Sequence, residues 1–252
     1  MAWYQLTFSP TGGTQKVANL LTQGIGEEFV SLDLMDRFLN LSKIPFTPDD
    51  CCLVAVPSFG GRVPAPAVQR LRDITGNGAR AVLVAVYGNR AYDDTLLELR
   101  DVLVQAGFRP MAGVAAVAEH SLMRQFGTGR PDEADRAELK AFAQTIRRRL
   151  DQAPPEDLAL PGNYPYQAYG GVPLKPAGKS SCTACGLCAE TCPTGAISKE
   201  TPRKTDGAKC VSCMACVARC PAGARRMNRL VLFVAGQKMK AVCSGRKPNE
   251  LF

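Results

Sequence analysis

The residues best placed to do chemistry are cysteines. The chain has 11, and eight fall between positions 182 and 220 in two runs. Cys182, Cys185, Cys188 and Cys192-Pro193 form the first; Cys210, Cys213, Cys216 and Cys220-Pro221 form the second. Each residue of the second run lies 28 positions after its mate, so the segment is an internal duplication. Cysteine thiolates are soft ligands for zinc or for iron–sulfur clusters. Structural zinc usually pairs two closely spaced ligands with two distant ones, not four in eleven residues twice over. A disulfide scaffold would spread its cysteines through a shorter chain.

The spacing C-x2-C-x2-C-x3-C-P is that of proteins holding two [4Fe–4S] clusters, in which the fourth cysteine ligates the other cluster. Three cysteines at spacings of three wrap one turn of chain around a cube corner. The fourth, held by a proline-fixed turn, points away to the neighbouring cube. Cluster one is therefore assigned Cys182, Cys185, Cys188 and Cys220, and cluster two Cys210, Cys213, Cys216 and Cys192. Crossed ligation also brings the clusters close, which suits electron hopping. Residues 180–226 resemble bacterial-type 2[4Fe–4S] ferredoxins, and Gly195-Ala196-Ile197 after the first Cys-Pro is similar to that family. The second copy departs from it with Ala222-Gly223-Ala224-Arg225-Arg226. The basic cluster Arg225, Arg226 and Arg229 is read as offsetting cluster charge rather than docking an acidic partner.

A second chemical signal lies near the start. Ser9-Pro10-Thr11-Gly12-Gly13-Thr14 joins a predicted strand to a predicted helix. Three hydroxyls and a glycine-rich backbone at a helix N-terminus suit one phosphate. No G-x-G-x-x-G and no Walker lysine follow, so a dinucleotide or nucleoside triphosphate is not indicated. The turn resembles the [Ser/Thr]-x-Thr-Gly-x-Thr loop by which flavodoxins hold the FMN phosphate. Ser9, Thr11, Gly12, Gly13 and Thr14 are assigned to that phosphate.

Two further loops follow predicted strands at the same sheet edge. In Pro57-Ser58-Phe59-Gly60-Gly61-Arg62, Phe59 is expected to flank a flat ring, and the bare backbone of Gly60 and Gly61 to approach its edge. Gly88-Asn89-Arg90-Ala91-Tyr92 matches the place where flavodoxins carry Gly-x-x-x-Tyr, so the resemblance implies that Tyr92 stacks on the isoalloxazine beside Gly88, Asn89 and Arg90. Trp3 lies on the first strand and cannot stack there. His120, the single histidine, is a candidate proton donor at this edge; a structural hydrogen-bonding role is the competing reading. Cys51, Cys52 and Cys243 are read as packed thiols.

The elements that must position these groups follow from the pattern. Strands are predicted at 2–8, 29–34, 51–57, 81–87 and 111–118, with helices at 14–25, 65–74, 92–105 and 131–150. Pro131 is expected in the first turn of the last helix, with acids after it and Arg147–Arg149 at its end. Strand–helix alternation with short loops gives a doubly wound, five-stranded parallel α/β sheet of flavodoxin-like type. A small α+β ferredoxin-like domain follows. The expected divisions are an FMN domain at 1–152, a Pro/Gly/Tyr-rich linker at 153–179, the cluster domain at 180–228 and a C-terminal extension at 229–252.

Composition bounds the rest. With 252 residues, 46% hydrophobic and 21% charged, the chain has ample core for one or two domains. No apolar run is long enough for a membrane helix, and no basic leader precedes one. A cytoplasmic location is expected. The net charge of +8 splits unevenly: +1 over residues 1–150 and +7 over 151–252. A thiolate-ligated [4Fe–4S] cube carries about −2, so two clusters and a flavin phosphate offset most of that excess. The charge is thus a counter-charge to cofactors and not the footprint of nucleic acid. A flavodoxin-like half joined to a two-cluster half resembles the flavodoxin–ferredoxin fusion proteins of the EFR family in anaerobes and archaea. That resemblance includes the stretch at 87–94 and the tail at 246–252. It implies electron transfer between an external redox protein, two clusters and FMN, converting one- and two-electron traffic. The alternative is an FMN-dependent reductase of a small substrate, with the clusters as electron inlet and Arg62, Arg90 and His120 at the substrate. Enzyme status and any homo-oligomer are left open.

Overall fold

A parallel strand with apolar side chains on both faces needs cover on both faces. Cys51–Pro57 (β3) and Arg80–Tyr87 (β4) are such strands, buried along nearly their whole length. The computed structural model describes residues 1–252 and places these two at the centre of a sheet. Trp3–Thr7 (β1), Phe29–Asp33 (β2) and Arg109–Val117 (β5) complete its parallel part, in the order β2-β1-β3-β4-β5. That order is the flavodoxin-like doubly wound one.

Side-chain alternation divides the core in two. Cys51, Leu53 and Ala55 of β3 face one apolar layer; Cys52, Val54 and Val56 face the other. Gly13–Ile25 (α1) and Glu133–Leu150 (α4) cover the first layer. Ala65–Arg72 (α2) and Thr95–Gln105 (α3) cover the second. Helix α4 starts two residues later than expected. Pro131 stays outside it, because Asp132 is the cap and forms a reciprocal capping box with Asp135.

The sheet has a sixth strand that the pattern did not predict. Glu250–Leu251 pairs antiparallel with Val114 and Ala115 of β5. The tail is polar and short, so no alternation marks it as a strand. Side-chain bonds fix it instead. Val117 N–H donates to Asn249 Oδ1 at 2.9 Å, Tyr87 Oη donates to the Pro248 carbonyl at 2.7 Å, and Arg246 forks onto Asp132 at 2.6 and 2.9 Å. The added strand covers the β5 edge, where unpaired backbone would otherwise stand open.

Between the sheet and its last strand lies the cysteine segment. Ala177–Gly178 (β6) and Arg225–Arg226 (β7) pair antiparallel and close it. Leu187–Glu190 (α5) and Ala215–Ala218 (α6) are single turns, again 28 residues apart. The duplication extends to backbone conformation. Ala184 and Ser212, Gly186 and Met214, and Gly195 and Gly223 all have positive φ, between 53° and 80°. Non-glycine residues rarely adopt this region, so tight turns of the same shape are imposed on both copies. Arg229–Cys243 (α7) then leads into the tail.

Residues 154–176 form no regular element and strap across α3. The Asp94 carboxylate accepts the backbone N–H groups of Asn163 at 2.8 Å and Gln167 at 2.7 Å. Tyr164 and Tyr166 donate their hydroxyls to Asp101, and Lys175 Nζ bonds the Cys210 carbonyl at 2.6 Å. Here the tyrosines find the polar partners that an extended proline-rich segment cannot supply from its own backbone. No helix is long and apolar enough to cross a membrane.

Candidate functional site

The carboxyl ends of β1, β3, β4 and β5 lie along one edge, and a cleft of about 460 Å³, open mouth included, runs across it. This is the position at which open α/β sheets bind ligands. The turn after β1 forms one wall. Ser9 Oγ accepts the Gln15 N–H at 2.9 Å, and α1 then begins after Gly12, whose φ is +90°. No side chain caps α1 at Gly12. The N–H groups of Thr11, Gly12, Gly13 and Thr14 find no acceptor within the protein. A side chain added at Gly12 would meet nothing within 4 Å. Free donors, open space and the positive end of a helix dipole together make an anion seat.

Six of the expected flavin and proton-transfer residues line this cleft: Thr11, Gly13, Thr14, Phe59, Gly88 and His120. Ser58, Glu119 and Ser121 line it as well, and so does Cys213 from the second cysteine run. Gly88 is needed for closeness, since a Cβ there would lie 2.8 Å from the His120 ring. The ring is held from behind: Nδ1 accepts the N–H groups of Leu122 and Met123, each at 3.2 Å. That leaves Nε2 to carry the proton of the neutral imidazole. Burial lowers the His120 pKa below its usual 6.5, and the positive charge of Arg90 adds to this. His120 is therefore uncharged at neutral pH, as its structural role requires.

The other expected contacts are placed differently. Ser9 sits beneath the turn as the support of α1. Gly60 and Gly61 are packed by the strap: added Cβ atoms would lie 2.3 Å from the Tyr169 ring and 1.7 Å from Gln167. Asn89 is turned to the C-terminal segment, where Nδ2 donates to the carbonyls of Cys243 at 2.7 Å and Gly245 at 2.8 Å. Arg90 pairs with Asp93. Tyr92 is outside the cleft lining; its hydroxyl donates to Glu250 at 2.8 Å and its ring meets Tyr87 edge-on at 5.3 Å. Burial and the adjoining Glu250 carboxylate both raise the Tyr92 pKa, so the hydroxyl stays a donor. The structure does not bring Tyr92, expected to stack on a ring, into the cleft lining. The returning tail, invisible at positions 87–94, takes its side chain. Arg62 is likewise engaged: it forks onto Glu98 at 2.8 Å twice, and Nη1 reaches the Gln167 carbonyl at 2.8 Å.

The eight clustered cysteines fall into two groups, each drawing on both runs. Cys182, Cys185, Cys188 and Cys220 line one cavity of about 310 Å³. They surround a space instead of meeting at a point, which fits a polynuclear group. Around the buried Cys213 lie Cys192, Cys216 and Cys210. Burial pushes the Cys213 thiol up to about 12, and the charges of those three neighbours add to the rise. Backbone N–H groups aim at the sulfurs in matched positions: Ala196 to Cys192 at 3.3 Å and Ala224 to Cys220 at 3.2 Å. Ser212 N–H donates to Cys210 Sγ at 3.4 Å. Donors directed at sulfur are a means by which proteins adjust cluster potential. Cys51, Cys52 and Cys243 are buried elsewhere, as packed thiols.

The second run also touches the sheet. Cys213 and Ala215 belong to the same apolar layer as β3, β4, α2 and α3. The contact joins residues about 150 positions apart in sequence, and no local signal announces it.

Residues 181–224 match the family described as the 4Fe-4S dicluster domain. Among solved structures, the chain is similar to a flavodoxin of Streptococcus pneumoniae TIGR4, with 19% identity, 59% of this chain and 99% of that one covered, and a TM-score of 0.42. It is also similar to the flavodoxin of Megasphaera elsdenii (18% identity, 58% and 98% covered, TM-score 0.41) and to flavodoxin 2 of Bacillus cereus (15% identity, 59% and 99% covered, TM-score 0.43). A search of curated proteins by sequence finds no match. The strand order defines the first class: a flavodoxin-like α/β sheet. The chain joins that sheet to a 4Fe-4S dicluster domain of ferredoxin type over residues 181–224.

Proposed function

We propose that the chain binds FMN in the sheet-edge cleft and two [4Fe–4S] clusters in the cysteine segment, and carries electrons between them and an external redox protein. The observation that carries this reading is the place of Cys213. One side chain is both a member of the second cysteine group and a wall of the cleft.

Thr11, Gly13 and Thr14 would hold the flavin phosphate with their free N–H groups and hydroxyls. Phe59, Gly88 and His120 would bound the ring, with His120 Nε2 as a neutral hydrogen-bond donor. The cluster ligands would be Cys182, Cys185, Cys188 and Cys220 for one, and Cys210, Cys213, Cys216 and Cys192 for the other. When bound, FMN supplies one- and two-electron chemistry and each cluster supplies one-electron chemistry. The protein's own contribution is to exclude water around Cys213, direct N–H groups at sulfur and keep the two sites together. The proposed divisions are an FMN domain at 1–152, a strap at 153–179, a cluster domain at 180–228 and a C-terminal extension at 229–252 that ends on the sheet.

The reductase reading has weaker support, because Arg62 is engaged by Glu98 and Arg90 by Asp93. Only His120 of that trio lines the cleft. Anaerobic purification followed by iron, sulfide and flavin quantitation tests the proposal. It requires about eight irons and one FMN per chain. About four irons, or clusters without flavin, would contradict it.

A further inference from the structure

The chain leaves eleven large apolar side chains exposed, and five of them stand on one helix of 15 residues. They are Leu230, Val231, Phe233, Val234 and Val242 of α7, each between 40% and 71% exposed. Single exposed apolar residues are ordinary on a protein surface, but a contiguous patch marks a face that something covers. The orientation of α7 is fixed from its other side. Gly236 and Cys243, seven positions apart on one line of the helix, are its buried residues. Gly236 lies so close to the loop after β5 that a Cβ there would meet Gln125 Nε2 at 2.6 Å, and the Cys243 carbonyl accepts Asn89 Nδ2 at 2.7 Å. Asn228 caps the other end, its Oδ1 accepting the N–H groups of Leu230 at 3.0 Å and Val231 at 3.3 Å. The face carrying Leu230, Phe233 and Val234 is therefore held outward.

Charge says what covers it. Between Arg229 and Cys243 there is no acidic residue, and Arg229, Lys238 and Lys240 are all exposed. None of the three is in an ion pair. At about 100° per residue, Lys238 and Lys240 fall about 80° to either side of Leu230, so cations flank the apolar stripe. A second copy of the chain would set like charges against each other here. From Leu230 to Val234 the outward face offers no polar side chain to fix the register of a protein partner, and such interfaces carry about one hydrogen bond per 100–200 Å². A bilayer surface asks only for depth. Apolar side chains enter the headgroup–acyl boundary while Lys and Arg reach lipid phosphates from the flanks. No helix is long and apolar enough to cross a membrane, so α7 would lie in the plane of the surface.

We propose that α7 is a docking helix for an anionic lipid surface: Leu230, Phe233 and Val234 enter the headgroup region, and Arg229, Lys238 and Lys240 pair with lipid phosphates. The chain then works as a peripheral protein, with its electron traffic held against a membrane. No residue of α7 lines the sheet-edge cleft or the cavity of the first cysteine group, so this surface stands independently of the cofactor reading.

The test is co-sedimentation of the anaerobic holoprotein with vesicles of phosphatidylcholine alone, or of phosphatidylcholine with an equal part of phosphatidylglycerol. Soluble polyglutamate serves as a competing acidic polypeptide. Wild type should bind the anionic vesicles at least about tenfold more tightly than the neutral ones, and less tightly as salt rises. Lys238→Gln with Lys240→Gln should weaken that binding about 25-fold. Leu230→Gln with Phe233→Gln keeps every charge and should weaken it at least about a hundredfold. All four positions are exposed, so iron and flavin contents should match those of wild type. Wild type that stays free of anionic vesicles would overturn the proposal, as would a Leu230→Gln, Phe233→Gln variant that binds like wild type. Displacement from vesicles by polyglutamate at a matched concentration of charges would also overturn it, assigning the face to an acidic protein. A dimer in sedimentation velocity that the Leu230→Gln, Phe233→Gln variant abolishes, without vesicle binding, would assign the face to a second copy instead.

Discussion

Replacing Asp135 by Asn should release the C-terminal strand while leaving the parallel sheet folded. Asp135 is fully buried and accepts five hydrogen bonds: Arg130 Nε at 2.9 Å, Arg130 Nη2, Asp132 N–H at 2.9 Å, Arg246 Nη2 at 2.9 Å and Asn249 Nδ2 at 2.9 Å. Asparagine has the same shape, but one of its two positions is an NH2 that accepts nothing. Either orientation sets that group against two or three donors and leaves the buried Arg130 uncompensated. Breaking a buried pair by removing one partner costs about 3–5 kcal/mol. The loss falls on the tail, because Arg246 and Asn249 hold it here. At about 1.4 kcal/mol per tenfold, a cost of about 3–5 kcal/mol should accelerate amide exchange by roughly two to three and a half powers of ten. The reporters are Val117 N–H, bonded to Asn249 Oδ1, and the paired amides of Gly113 and Phe252. Hydrogen exchange of the anaerobic protein reads this directly. Arg246→Met, which removes a half-exposed pair with Asp132 and one bond to Asp135, should accelerate these amides less than Asp135→Asn does. An acceleration below tenfold in D135N would refute the reasoning that this buried charge anchors the tail.

Other outcomes follow from the same geometry. Cys220→Ser lies in the second run but should abolish the signal of the cluster held by the first, leaving about four irons per chain by quantitation; loss of the second cluster's signal instead would argue against crossed ligation. Tyr92→Leu removes the ring together with the bond to Glu250 and should leave the flavin absorption spectrum unchanged, because the ring is outside the cleft lining; a shifted flavin band would support the stacking role. Burial would raise the Asp135 pKa, but bonds from Arg130, Asp132 and Asn249 outweigh it and hold the carboxyl below 3.8. Its stabilisation is thus present above the unfolded value and lost as pH falls from about 3.8 through the lower folded value. Exchange at Val117 followed against pH should show tail release in that acid window and none between pH 6 and 8.

What could be read from the sequence was what depends on local repetition. The five parallel strands follow from apolar runs such as 51–57, and the two cysteine runs carry their own spacing. The turn at 9–14 was legible as a candidate anion seat because its glycines and hydroxyls fall within six residues. Non-local contacts were not. Tyr92 matched a flavodoxin position, yet its partner Glu250 comes from a tail whose polar residues show no strand pattern. Gly60 and Gly61 offered bare backbone, but the strap brings Tyr169 and Gln167 onto them. The seat of Cys213 against the cleft depends on docking of two separately patterned segments. Arg225 was visible as a departure from the repeat, but only burial and the unpartnered Nε distinguish it from its exposed neighbour Arg226.

The central claim is that clusters and flavin exchange electrons within one chain, across the wall that Cys213 forms. It is tested by mixing the loaded, oxidised protein anaerobically with a one-electron reductant and following cluster bleaching and flavin absorption in time, over a range of protein concentrations. The account predicts that the flavin band decays after the clusters, with a first-order rate that does not change with protein concentration. A flavin rate that scales with protein concentration, or a flavin left oxidised beside reduced clusters, would contradict it.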